Sequence, residues 1–69
     1  MKTWCPRCKQ GWVTLSRVKA TGEIVSVCEE CEALWPDSVE ISFETFVDMS
    51  IYLTAQGLSG QWTDLEDVE

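Results

Sequence analysis

Four cysteines in two matching pairs are the residues of this chain with the clearest chemistry. The pairs are Cys5-Pro6-Arg7-Cys8 and Cys28-Glu29-Glu30-Cys31, and 19 residues separate them. Two residues between cysteines let one tight turn aim both sulfurs at a single point, so two such turns supply the four corners of a tetrahedral zinc site. The sequence predicts that one structural Zn²⁺ is bound by Cys5, Cys8, Cys28 and Cys31.

Cysteine pairs have other uses, and each makes a different demand on the rest of the chain. Disulfides suit exported proteins, but no apolar run of signal-peptide or membrane-spanning length is present, so we expect a cytoplasmic protein with no membrane partner. Thiol redox chemistry needs a thiolate at a helix start, whereas strand-like residues follow Cys8. Iron held by four sulfurs, as in rubredoxin-like electron carriers, stays an alternative to zinc.

The composition gives little support to an enzyme. The chain has no histidine and no lysine after Lys19, so no nucleophile and base pair is recognisable. A zinc ion with four sulfur ligands also lacks the open position that a catalytic zinc keeps for water. We therefore predict a protein that is not an enzyme and has no small-molecule substrate.

The pattern of residues 4–35 predicts a zinc ribbon, which would position the cysteines. Apolar and polar residues alternate over 12–18, a turn follows at Thr21-Gly22, and an apolar stretch returns to Val27. Ala33-Leu34-Trp35 adds a third short strand. The predicted fold class is a small α+β metal-stapled domain, a zinc ribbon with two CxxC knuckles and a two- to three-stranded antiparallel sheet, followed by a C-terminal α-helix.

The second half of the chain changes period. Apolar residues at helical spacing predict a helix over 43–56, with Ser42 as its cap and Gly57 as a left-handed terminator. Thr63 to Glu66 has a capping-box pattern that would begin a short helix in the acidic terminal segment 63–69. With 69 residues, the whole chain, 1–69, is expected to form a single domain.

Charge is distributed unevenly along the chain. The formal net charge is −7, with all basic residues in 1–22 and all acidic residues in 23–69. Such a protein repels nucleic acid and attracts a basic protein. Trp4, Trp12 and Trp35 are expected to shield the cysteines, whereas Trp62, between a glycine and acidic residues, is a candidate anchor. The predicted partner-binding residues are Asp37, Glu40, Glu44, Asp48, Trp62, Asp64, Glu66 and Asp67.

The combination of motifs resembles a known family. The second knuckle continues as Cys31-Glu32-Ala33-Leu34-Trp35 and is followed by Phe46-Val47, Tyr52-Leu53, Gly57-Leu58 and Trp62-Thr63-Asp64-Leu65. This pattern is similar to that of small zinc-ribbon immunity proteins from bacterial contact-dependent growth inhibition and related polymorphic toxin systems.

The resemblance implies a cytoplasmic inhibitor that binds the C-terminal domain of a cognate toxin, often a nuclease. In that reading the four cysteines are zinc ligands and the acidic surface matches the basic cleft of a nuclease. Two alternatives stay open. A ribbon of this kind also serves transcription, translation or RNA processing through a basic hairpin that carries Arg17 and Lys19, and a rubredoxin-like protein carries electrons.

Overall fold

Strands are the main regular elements of the structure, a computed structural model that describes residues 3–68. In chain order they are β1 (Thr3–Trp4), β2 (Trp12–Val18), β3 (Ile24–Cys28), β4 (Ala33–Pro36), β5 (Val47–Asp48) and β6 (Leu65–Asp67). One helix, α1 (Met49–Thr54), follows β5, and one 3₁₀ turn (Trp62–Asp64) precedes β6. The strands form one antiparallel sheet in the order β1-β2-β3-β4-β5, and β6 also pairs with β2.

The predicted ribbon is confirmed in its hairpin and its third strand. β2 pairs with β3 from Val13 opposite Cys28 to Arg17 opposite Ile24, and Gly22 takes a φ of 78° in the turn between them. β4 pairs with β3 and ends at Pro36. The predicted strand number is wrong, because the sheet has six strands over residues 3–68 and not two or three. β1, β5 and β6 were not predicted, since two or three residues carry too little alternation to be recognised as strands.

Both faces of the sheet are covered, and each cover has its own apolar cluster. Successive residues of a strand point to opposite faces, and β4 shows this directly: Leu34 enters one cluster, whereas Ala33 and Trp35 enter the other. The helix-side cluster contains Val18, Val25, Val27, Leu34, Met49, Leu53 and Leu65. The cysteine-side cluster contains Cys5, Val13, Cys28, Ala33 and Trp35, with Val39, Ile41 and Phe46 packed against it.

The predicted helix over 43–56 is wrong except over 49–54. A turn occupies 43–45, β5 pairs with β4, and α1 begins only at Met49 with Asp48, not Ser42, as its cap. The apolar residues that suggested one helical stripe pack on opposite faces of the sheet, Phe46 on the cysteine side and Leu53 on the helix side. The helical spacing was therefore coincidental over 43–48.

The end of the helix and the terminal segment give a mixed outcome. Gly57 takes the predicted left-handed conformation (φ 82°), and the Leu58 amide donates to the Leu53 carbonyl at 3.1 Å. In 63–69 the predicted helix is wrong: the capping box joins Gln61 and Asp64 around the 3₁₀ turn, and the chain then pairs with β2 as β6. Glu69 lies outside the described residues.

A membrane-crossing element is not found in the described part of the chain. None of its helices combines the length and the apolar character that a bilayer span requires.

Candidate metal centre

The four cysteine sulfurs converge on one point between the two knuckles. All four Sγ atoms lie within 4.8 Å of one another. Cys5 Sγ is 3.7 Å from Cys31 Sγ, and Cys8 Sγ is 3.7 Å from Cys28 Sγ. A tetrahedron with metal–sulfur bonds of about 2.3 Å has sulfur–sulfur edges of about 3.8 Å. All four cysteines are free thiols, so the donor set fits a single tetrahedral metal ion and not a pair of disulfides.

The two knuckles share one local geometry. In each, the residue after the second cysteine is left-handed without being glycine: Lys9 has a φ of 56° and Glu32 a φ of 62°. Backbone amides point at the first sulfur of each pair, from Arg7 to Cys5 Sγ at 3.4 Å and from Glu30 to Cys28 Sγ at 3.4 Å. These N–H groups stabilise negative charge on sulfur, which a metal-bound thiolate carries.

The pKa values of three of the thiols are shifted, because the sulfurs are buried and close together. Burial and the neighbouring sulfurs raise the pKa of Cys31 to about 12, and burial raises the pKa of Cys28. Burial also opposes ionisation of Cys5, but hydrogen bonds from the amides of Cys8 and Arg7 lower its pKa to about 7. Four thiolates cannot share this volume without a cation, because each anion destabilises the next. A divalent ion relieves that repulsion.

The centre is closed on its inner side by apolar residues. Cys5, Cys28, Val13, Ala33 and Trp35 are all at most 2% exposed. Gly11 lies where the two knuckles meet, and a Cβ there would come within 2.8 Å of Glu30 Cβ and 3.2 Å of Cys28 Sγ. A side chain at this position would have to displace Glu30, so glycine suits the close approach of the two turns.

The tryptophans divide between core and surface. Trp35 is fully buried against the cysteines, as expected. Trp4 and Trp12 are 48% and 45% exposed, so the prediction that they shield the sulfurs is wrong for them. They face each other across β1 and β2 with ring centroids 4.9 Å apart in an edge-to-face arrangement. The two rings therefore pack edge to face at the sheet surface.

Half of the predicted partner-binding residues are engaged inside the protein. Asp48 accepts hydrogen bonds from the Ser50 and Ile51 amides as the cap of α1, and hydrogen bonding to Ser50 lowers its pKa. Asp64 accepts from the Ser59 hydroxyl, which lowers its pKa, and from the amides of Gly60 and Gln61.

The two other engaged residues bridge elements. Glu66 forms an ion pair with Arg17 at 3.0 Å across β6 and β2. The indole N–H of Trp62 donates to Glu32 at 2.8 Å, and its ring lines a shallow depression of about 200 Å³ with Ser16, Leu65 and Asp67.

The remaining four predicted residues are exposed acids. Asp37, Glu40 and Glu44 lie in the loop between β4 and β5, and Asp67 lies at the end of β6. Within residues 3–68, none of their carboxylates forms an ion pair or a hydrogen bond. The eight predicted residues are distributed over three parts of the chain: the 37–46 loop, the start of α1, and the segment that runs from the 3₁₀ turn into β6.

Comparisons with known proteins identify no family or relative for this chain, so the assignment of the metal site rests on its geometry. No protein-family model matches the chain, and no curated protein or solved structure is significantly similar to it. The architecture, a small antiparallel sheet with one short helix and four clustered cysteines, is compatible with a zinc-ribbon-like fold.

Proposed function

We propose that the cysteine cluster holds one structural Zn²⁺ and that the protein is a non-catalytic inhibitor. The observation that supports zinc is the set of four free thiols with tetrahedral spacing, closed by the apolar residues of the cysteine-side cluster. A closed S₄ sphere offers no position for substrate. Iron fits the same ligands, and colour distinguishes the two, since iron held by four thiolates is red and zinc is colourless.

We propose further that the inhibited partner is the domain of a bacterial toxin, most simply a basic nuclease. The family resemblance of the sequence names this class of partner, and the net charge of −7 supports it. The exposed acids that take part in no bond within residues 3–68 are available to face a basic cleft. The protein would act stoichiometrically in the cytoplasm and occlude or reshape the toxin's active site.

The experiment is co-expression with the toxin domain encoded by a neighbouring gene. Cells that produce the toxin domain alone should stop growing, and cells that also produce this protein should grow. The purified pair should form a 1:1 complex in which the toxin's catalytic activity is lost. Rescue without a complex, or a complex with a polymerase or with nucleic acid in place of the toxin, would contradict the proposal.

Nucleic-acid binding is the second candidate, and the exposed Trp4–Trp12 pair favours it because bases stack on such rings. The structure gives less support to the part of this candidate that depends on the basic residues of the hairpin. Arg17, which is paired with Glu66, lies roughly 17 Å along β2 from Trp12 at about 3.3 Å per residue. A salt-dependent mobility shift of RNA or DNA, reduced by mutation of Arg17 and Lys19, would support this candidate over inhibition.

A further inference from the structure

Phe43 is the most exposed aromatic side chain in the described part of the molecule. It is 60% exposed, against 48% for Trp4 and 39% for Trp62. It lies in the loop 37–46, which connects β4 to β5. An aromatic ring held in water adds little to the stability of a small domain, and such rings are the residues that most often anchor protein interfaces. The stability of the fold therefore does not explain why an aromatic residue occupies this position.

The ring of Phe43 rests on a fixed support. Its ring centroid lies 6.1 Å from that of Phe46. The guanidinium carbon of Arg7 lies 4.4 Å from the centroid of the Phe46 ring. Arg7 also donates to the Cys31 carbonyl at 3.4 Å, and Phe46 packs against the cysteine-side cluster. Arg7, Phe46 and Phe43 thus form a row that runs outward from the cysteine knuckles, with Phe43 at its outer end.

The loop that carries Phe43 is tied down from below. The indole N–H of the buried Trp35 donates to the Ser42 carbonyl at 3.0 Å, and the Thr45 hydroxyl donates to the Glu40 carbonyl at 2.6 Å. Val39 and Ile41 pack on the cysteine-side cluster. A loop ordered before binding loses little conformational entropy when a partner docks, which favours a tight complex.

The charge of the same loop indicates its partner. Asp37, Glu40 and Glu44 surround Phe43 in sequence, all three are exposed, and the loop contains no basic residue. Arg7 is stacked on Phe46, and no ion pair joins it to these three carboxylates within residues 3–68. A cationic protein surface is complementary to this loop, whereas a second copy of the chain, with a net charge of −7, would be repelled.

We propose that loop 37–46 is the surface that docks the cationic partner, with Phe43 as the anchor that enters an apolar pocket in it. Glu40 and Glu44 lie around the anchor and match basic residues at the edge of that pocket. This inference rests on the proposed inhibitory function and moves the anchor away from Trp62, whose indole N–H is already bonded to Glu32.

The test uses the toxin domain encoded by the neighbouring gene as the probe, in a catalytically inactive form. Phe43→Ala should weaken its binding about 30-fold or more, the loss expected for a strong interface anchor. Ile51→Ala removes a side chain that is 69% exposed on α1 and should change binding less than threefold. Glu40→Gln with Glu44→Gln should slow association severalfold and flatten its dependence on salt.

Folding of the variants is checked by their zinc content and their far-ultraviolet circular dichroism, which should match the unmutated protein. Unchanged binding by Phe43→Ala would overturn the proposal, as would a 30-fold loss in Trp62→Ala or Trp12→Ala without a loss in Phe43→Ala. In these cases the toxin still binds, so the inhibitory function stands while the assigned surface fails.

If the toxin domain does not bind the unmutated protein, the proposed function fails and the surface is tested separately. A photo-crosslinking phenylalanine is then placed at position 43 or 51 in the native host. An adduct formed only at 43, with a strongly basic protein whose purified form binds Phe43→Ala at least tenfold more weakly, supports the docking surface. An adduct with nucleic acid, with a second copy or with an acidic protein, or no adduct, overturns it.

Discussion

Lys9 and Glu32 show at the residue scale how strain is placed in the knuckles. Both are left-handed, at the equivalent position after the second cysteine of each pair. That conformation carries the chain away from the sulfurs and lets the next strand begin. A residue with a Cβ costs about 1–2 kcal/mol in it, so each knuckle keeps one strained position that the surrounding structure must stabilise.

Lys9→Gly should therefore raise the free energy of unfolding, by up to about 1 kcal/mol after the entropy of the unfolded glycine is subtracted. Among the described residues, the Lys9 side chain forms no hydrogen bond or ion pair that this change would remove. Urea unfolding of the zinc-loaded protein measures the effect. The matched control is Lys19→Gly, which removes the same charge from an exposed position outside the left-handed region and should not stabilise.

Tyr52 and Glu23 form a second residue-scale feature, on the helix side of the sheet. The Tyr52 hydroxyl donates to the Glu23 carboxylate at 2.6 Å. Burial and the adjacent carboxylate raise the pKa of Tyr52 to about 12, from an ordinary value near 10. The neutral phenol is thus favoured in the folded state, and its contribution to stability is complete below pH 10 and lost as the pH rises through 12.

This prediction is direct to measure because Tyr52 is the single tyrosine of the chain. Ultraviolet absorbance of the phenolate should show a transition near pH 12 in the folded protein and near 10 in urea. Glu23→Gln should move the folded transition toward 10, whereas Glu29→Gln, an exposed acid in the second knuckle, should leave it in place. A folded-state transition at pH 10 in the unmutated protein would contradict the assignment.

At the scale of elements, α1 is a short helix that depends on its ends. It has six residues, and two of them, Met49 and Leu53, are buried. Isolated helices of this length are not stable in water, so the cap at Asp48 and the turn at Gly57 must fix its bounds. The Met49 amide also donates to the Glu32 carbonyl, which joins the helix start to the second knuckle.

Asp48→Ala should lower the free energy of unfolding by about 1 kcal/mol, since it removes the acceptor for the Ser50 and Ile51 amides. Asp48→Asn keeps a good cap and loses only the charge, so it should cost a few tenths of that. Asp37→Ala removes an exposed acid of the same type with no hydrogen bond in the described chain and should be neutral. Equal losses in Asp48→Ala and Asp37→Ala would show that the cap does not stabilise α1.

At the scale of the whole molecule, the cysteine-side cluster connects the sheet to loop 37–46. The cysteine-side cluster is one of only two apolar clusters among residues 3–68, and loop 37–46 packs on it. Structural zinc contributes of the order of 10 kcal/mol in small domains, which is comparable with the total stability of a domain of this size. Loss of the ion should therefore remove the fold and the loop together.

Chelation should abolish the cooperative unfolding transition, and native mass spectrometry should find one zinc per chain before chelation and none after it. Added Zn²⁺ should restore both the transition and partner binding. The control is an equal excess of chelator already saturated with zinc. A cooperative transition that survives in the metal-free protein would show that the apolar clusters suffice without the ion.

The sequence by itself determined the features that depend on neighbours along the chain. The clustering of the four cysteines, the hairpin of β2 and β3, the strand that ends at Pro36 and the left-handed Gly57 all follow from spacing and turn chemistry over a few residues. Tertiary contacts decided the rest. Phe46 packs on the cysteine side while Leu53 packs on the helix side, which prevents one long helix. β6 exists because Leu65 pairs with Val18, 47 positions earlier, and no local pattern encodes such a partner.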